Sequence, residues 1–135
     1  MSALDMAAYL LVRIAEDERV AREAVVGRGA VWTQGDDDAP GWDRDLVYFH
    51  SDRSGWTQFS DEAGAAHASR WDPSRVLAEC EAKRWIVERC QWVRDNRDYA
   101  DWATADMADE VLQHLVQVYA DRPDFPSMWL SEAAR

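Results

Sequence analysis

The sequence predicts an α+β fold: an N-terminal helix, a small antiparallel β-meander, then two long helices and a short C-terminal helix or tail. Three observations predict it. Apolar residues recur at helical spacing near the N-terminus, in the centre and towards the C-terminus. Short runs of β-formers, parted by Gly-, Asp- and Ser-containing turns, lie between the first two helical segments. The chain has 135 residues and is 47% apolar, enough to bury one core, so residues 1–135 are expected to form a single domain.

The first helix is expected over 3–26, where Leu4, Ala7, Ala8, Leu11, Ile14 and Ala15 recur on one face. Ser2 or Asp5 can cap it, and Gly27 and Gly29 stop it. Glu16, Asp17, Glu18, Arg19, Arg22 and Glu23 read as its solvated face. Strands are expected at 30–34, 46–50 and 56–60. Residues 35–41, with three consecutive Asp, read as a turn, and so do 51–55 and 61–64. Asp72 and Pro73 then open the central helix, the Asp as N-cap and the Pro at the first helical position, where a missing N–H costs nothing. Val76, Leu77, Cys80, Val87 and Cys90 form its apolar stripe, with Ile86 and Val93 beside it. It runs to about Arg94, and 95–98 break it. A further helix over 103–120 places Met107, Val111, Leu112, Leu115, Val118 and Tyr119 on one face. Residues 121–124 end it, and the hydrophobic tail 125–130 is expected to fold back onto the core.

Charge excludes some function classes. The formal net charge is −11. Direct nucleic-acid binding needs Lys and Arg to displace counterions, so it is not expected, and anionic membrane surfaces are disfavoured for the same reason. The charge is uneven: residues 69–97 hold 5 acids and 7 bases, while the flanking segments are acidic. No apolar run approaches the ~20 residues of a membrane span, and no signal peptide is visible, so a soluble cytoplasmic protein is expected. Cys80 and Cys90 lie ten residues apart in one helix, ~15 Å along its axis, too far for an intrachain disulfide. They read as reduced core residues.

The constellations that carry chemistry are missing. Asp36, Asp38 and Gly41 match three positions of a calcium-binding loop, but Pro40 and Val47 stand where ligands are required. His50, His67, His114, Cys80 and Cys90 show no metal-ligand spacing. No nucleophile elbow, Walker motif or dinucleotide-binding glycine pattern is present. Pairs such as Asp106 and Glu110 are what an acid-rich chain produces by chance. No catalytic residue, metal ligand or cofactor is therefore expected. What stands out is surface chemistry: eight Trp residues, more than a core of this size holds, and a central helix bearing Arg75, Lys83, Arg84, Arg89 and Arg94.

Residues 67–86, His-Ala-Ser-Arg-Trp-Asp-Pro-Ser-Arg-Val-Leu-Ala-Glu-Cys-Glu-Ala-Lys-Arg-Trp-Ile, resemble a family of small uncharacterised proteins from actinobacteria and their phages, domain-of-unknown-function family 6221. The family pattern runs approximately H-I-A-R-H-D-P-A-R-V-L-A-E-V-E-A-K-R-R-I. Asp17 to Arg22, followed by a strand with Trp32, and Tyr119 to Phe125, followed by Trp129, are similar to two further family segments. Trp71 and Arg122 stand where the family usually has His, which removes any metal or proton-shuttle role for those positions here. Trp85 replaces a usual Arg. The resemblance implies a phage or prophage accessory protein, made in the bacterial cytoplasm or carried in a virion.

The expected function is binding of another protein without catalysis, with Trp71, Arg75, Arg84, Trp85 and Trp129 as contact residues. The alternatives are an acidic DNA mimic that inhibits a host nuclease or DNA-binding protein, a structural virion component that forms homo-oligomers, and a small hydrolase or metal enzyme using His67 or His114.

Overall fold

The computed structural model of the protein describes residues 3–36, 41–50, 53–98 and 101–131. The fold is α+β. Helix α1 (Ala3–Arg28) leads to strands β1 (Trp32–Gln34), β2 (Leu46–Phe49) and β3 (Gly55–Gln58). Helices α2 (Glu62–Arg70), α3 (Pro73–Asp95) and α4 (Trp102–Val116) follow, and short 3-10 turns occupy 117–119 and 127–129. The chain divides into two compact units, one of residues 1–15 and 81–135, the other of residues 16–80.

The unit of residues 16–80 holds the sheet, in the order β1-β2-β3 with both pairs antiparallel. Trp32 stands opposite Phe49, and Tyr48 opposite Trp56. Val47, Phe49 and Ala65 form the core between sheet and α2, with Trp32, Phe59 and Ala68 packed around them. Residues 61–64, expected as a turn, instead open α2. The Asp61 carboxylate caps the helix by accepting from the Gly64 N–H at 2.7 Å. That satisfies one of the four orphan donors of a helix start, which turn-forming residues such as Asp and Gly do as readily as they make a loop.

Two buried carboxylates organise this unit. Asp43 accepts from the Asp36 N–H at 2.9 Å and from the Tyr48 hydroxyl at 2.5 Å. The latter bond raises the Tyr48 pKa above the ordinary phenol value. Gly35 is required beside it, because a Cβ there would stand 2.0 Å from the Asp43 carbonyl oxygen. Asp72 is 8% exposed. Its Oδ1 accepts from the Arg75 N–H at 2.9 Å, the capping bond expected for α3, and its Oδ2 accepts from the Trp32 N–H at 3.1 Å. Glu18, expected on the solvated face of α1, is buried and pairs with Arg22 at 3.1 Å.

The unit of residues 1–15 and 81–135 is helical. Its fully buried side chains are Leu10, Ile14, Val87, Leu112 and Val116, joined by Ala7, Ala105 and Ala108. The stripe expected on α4 is rotated: Met107 and Val118 are exposed, and the seam runs through Ala105, Ala108, Leu112 and Val116. The tail returns to α1 as expected. Asp124 accepts from the Tyr9 hydroxyl at 3.0 Å and pairs with Arg13 at 3.2 Å. Phe125 and Trp129 meet the Tyr9 ring edge-on, at 6.0 and 5.4 Å between centroids.

Replacing Asp72 by Ala removes a helix cap and leaves the Trp32 N–H without its carboxylate. The expected loss is about 2 kcal/mol of unfolding free energy, read by urea denaturation. Asp72→Asn, which keeps one acceptor oxygen, is expected to lose about half of that.

Candidate functional site

Residues 81–131 place an apolar groove between α3 and α4. It is lined by Arg89, Cys90, Trp92 and Val93 from α3, and by Thr104, Met107, Ala108 and Val111 from α4. Its volume is about 410 Å³. The α4 wall follows helix periodicity, since 104, 107, 108 and 111 fall on one face over two turns. Asp101 fixes the start of that wall by accepting from the Thr104 N–H at 2.7 Å, and the same bonds hold its pKa below the usual carboxylate value. Asp109 joins the two helices at this end, pairing with Arg94 and, at 3.2 Å, with Arg97.

The groove carries large exposed side chains. Trp92 is 49% exposed and Met107 61%. Trp85, at 66%, lies seven residues before Trp92 and so on the same face of α3. Trp102, at 81%, stands at the start of α4. The Arg89 guanidinium sits over the Trp92 ring, 4.9 Å from its centroid. Cys90 forms part of the buried base, where burial first and Asp109 second raise its thiol pKa.

The predicted contact residues fall in both units. In the unit of residues 16–80, the Trp71 ring stacks on His67 with centroids 5.1 Å apart, and the Arg75 guanidinium lies 4.3 Å from the Trp71 centroid. Arg75 also pairs with Glu79 at 3.1 Å. This exposed ladder runs His67, Trp71, Arg75, Glu79, each four residues from the last. In the other unit, Trp85 is exposed and Arg84 half-buried. Trp129 corrects the expectation: it is 7% exposed, held edge-on by Tyr9 and Phe125, and serves as a core residue rather than a contact. Sequence reasoning missed Trp92, Trp102 and Met107 as surface groups. The Trp85, Arg89, Trp92 spacing held the signal for one of them, but Met107 fitted an apolar stripe equally well.

Among the described residues no group of three or more His, Cys, Asp or Glu is placed to hold a metal ion. Asp38 and Pro40 of the calcium-loop comparison lie outside the described residues. The displaced pKa values of Tyr9, Tyr48, Cys90 and Asp101 all follow from burial or from structural hydrogen bonds. No helix among the described residues is long and apolar enough to cross a membrane.

A family model described as a family of unknown function (DUF6221) matches residues 3–131. The chain belongs to that family. The match spans every helix and strand described above, so the α3/α4 groove lies within the DUF6221 region. No curated protein and no solved structure matches the chain.

Burial separates the tryptophans by stability. Trp129→Ala is expected to cost about 3–5 kcal/mol of unfolding free energy, whereas Trp85→Ala stays within roughly 0.5 kcal/mol of wild type by urea denaturation. The Cys90 thiol, with its pKa raised, favours the neutral form in the folded protein. Its contribution to stability is present below the ordinary thiol pKa and is lost as pH rises through the folded value. Alkylation of Cys90 by iodoacetamide at pH 8 is expected to run about tenfold slower than that of a free thiol, and to recover that rate in denaturant.

Proposed function

We propose that this protein acts without catalysis, by binding another protein through the exposed face of α3 and α4. One observation carries the reading: Trp85, Trp92, Trp102 and Met107 all stand exposed within one unit, two of them lining an apolar groove. A Trp side chain carries roughly 150–250 Å² of surface. Burying the exposed half of one is worth about 2–3 kcal/mol at roughly 25 cal/mol per Å². Trp and Met are enriched at protein interfaces, where a few such anchors supply most of the binding energy. Trp85 belongs to this face, while Trp71 and Arg75 form a separate exposed pair in the other unit; Arg84 is half-buried beside Trp85 in the chain. The accessory role of phage or prophage type, and a place in the host cytoplasm or the virion, rest on the family resemblance of residues 67–86.

The net charge of −11 favours a second reading, an acidic protein that imitates DNA before a nuclease or DNA-binding protein. The two readings differ in what holds the complex together. Affinity capture from an actinobacterial host lysate, at low and high salt, separates them by mass spectrometry. The leading reading expects one stoichiometric partner retained at high salt and lost by the Trp92→Ala, Met107→Glu variant. A partner that is released by salt and indifferent to the groove variant overturns it in favour of the DNA mimic.

A further inference from the structure

The strand order β1-β2-β3 leaves two outer edges, one on β1 and one on β3. The ladder shows which backbone groups lie on each. The Gly35 N–H donates to the Leu46 carbonyl at 3.1 Å, and the Phe59 N–H to the Asp45 carbonyl at 2.8 Å. Antiparallel strands alternate between bonded and non-bonded pairs, so Leu46 and Tyr48 turn their backbone groups to β1, while Val47 and Phe49 turn theirs to β3. Thr57 and Gly55 stand opposite Val47 and Phe49 and complete those bonds. Trp56 and Gln58 therefore hold their N–H and C=O groups outward, two residues and about 6.8 Å apart.

The start of α3 closes the β1 edge. Asp72 accepts from the Trp32 N–H at 3.1 Å, and the Ser74 N–H donates to the Ala30 carbonyl at 2.9 Å. On β3, among the described residues, no group bonds to the outward N–H and C=O of Trp56 or Gln58. Helix α2 packs on β1 and β2. Trp56 is 59% exposed, and Gln58 is exposed. Residues 55–58 hold neither Lys nor Pro, which commonly guard an open edge. Such an edge dictates the conformation of what covers it. A helix satisfies its backbone groups internally, whereas an extended segment brings a row of N–H and C=O groups that matches those of Trp56 and Gln58. Charge decides whose segment it is. Residues 16–80 hold 14 acids and 7 bases, so a second copy meets its own sign here and a basic segment meets the opposite one. Trp56 stands directly across from Tyr48, whose ring carries the Arg53 guanidinium 4.8 Å from its centroid. A further strand places its own side chain beside Trp56 on the same face, where an Arg or Lys meets the indole as Arg53 meets Tyr48.

We infer that the outer edge of β3 takes up an extended basic segment of a partner protein as a fourth strand, bonded to the backbone of Trp56 and Gln58. The site lies in the unit of residues 16–80 and shares no residue with the α3/α4 face. Backbone bonds hold the segment extended, and Trp56 favours a cationic side chain opposite it.

Peptides test it on the full chain. The probes are a labelled alternating Arg/Val peptide of about eight residues, its Glu/Val counterpart, and the Arg/Val peptide N-methylated at every residue, which keeps the charge and loses every backbone donor. Binding is followed by fluorescence anisotropy, and the site by the backbone amide resonances of Trp56 and Gln58. The Arg/Val peptide is expected to bind at one to one, to shift those two amides and to protect them from hydrogen exchange. Gln58→Pro removes one outward N–H and leaves the β2–β3 bonds in place, a position where an edge strand tolerates Pro. It is expected to weaken binding about tenfold, whereas Gln58→Ala, which keeps the N–H, stays within about twofold of wild type. Trp56→Ala is expected to weaken binding about threefold, as loss of an exposed cation–π contact does. Val26→Ala, an exposed apolar change on α1, is expected to leave it unaltered. Equal binding of the N-methylated or the Glu/Val peptide overturns the inference. So does binding of the Arg/Val peptide that leaves the Trp56 and Gln58 amides unmoved, or no binding up to about 1 mM peptide. A dimer of the chain alone, seen by sedimentation and lost in Gln58→Pro, overturns the partner segment in favour of a second copy.

Discussion

A single buried carboxylate holds the middle of this chain together. Asp72 reaches in two directions at once, to the Arg75 N–H that opens α3 and to the Trp32 N–H of β1. A carboxylate taken from water is costly unless its oxygens find donors, and here each oxygen has one. The strand and the helix start therefore depend on each other. A second bond, from the Ser74 N–H to the Ala30 carbonyl at 2.9 Å, repeats the tie two residues away in each segment. Pro73 is buried in the same corner, and as the first helical residue it has no N–H to satisfy. The long helix that carries Trp85 and Trp92 thus begins at a fixed point.

The helical seams explain where the tryptophans go. The contact faces of α1 and α4 use Ala7, Ala105 and Ala108, and α3 uses Cys80, Val87 and Cys90. Small side chains let helices pack closely and leave little volume for an indole. Trp129 is buried because it arrives on the tail and packs against Tyr9 and Phe125, outside those seams. Trp32 finds room at the sheet, edge-on to Phe49 at 5.2 Å. Trp56, Trp71, Trp85, Trp92 and Trp102 remain at the surface. Their exposure follows from helical seams in which Leu10, Ile14 and Leu112 already fill the space beside small Ala and Cys side chains, and the sequence pays for it with charge, which keeps so much apolar surface in solution.

Much of the fold was legible in the sequence because its signals were local. The Asp72-Pro73 start of α3, the three strands and the 3.6-residue periods each depend on neighbours in the chain. What was not legible depended on packing. Whether Met107 faces the core or the solvent turns on whether α4 buries the row through Ala105 and Ala108 or the one through Val111 and Leu115, and both rows look apolar. Glu18 reads as one more charge on an acidic helix face until its burial beside Arg22 is seen. Trp129 looked like a contact residue because eight Trp residues exceed what a core of this size holds, and only the Tyr9 and Phe125 rings show that it is one of those buried. The α3 half of the candidate groove was readable from the spacing of Trp85, Arg89 and Trp92. The α4 half was hidden by the wrong rotation.

Net charge also bears on which partner can use the groove. Two copies of this chain would each bring a net charge of −11 to a shared interface. At physiological salt the screening length is about 8 Å, so charges at the rim of a closed interface still feel one another. Self-association must overcome that repulsion before any apolar surface is buried, whereas a partner of positive net charge gains from the same charges as it approaches. The acidity that looks at first like a general property of the chain therefore acts as a filter on association, disfavouring a second copy and favouring a partner of opposite sign.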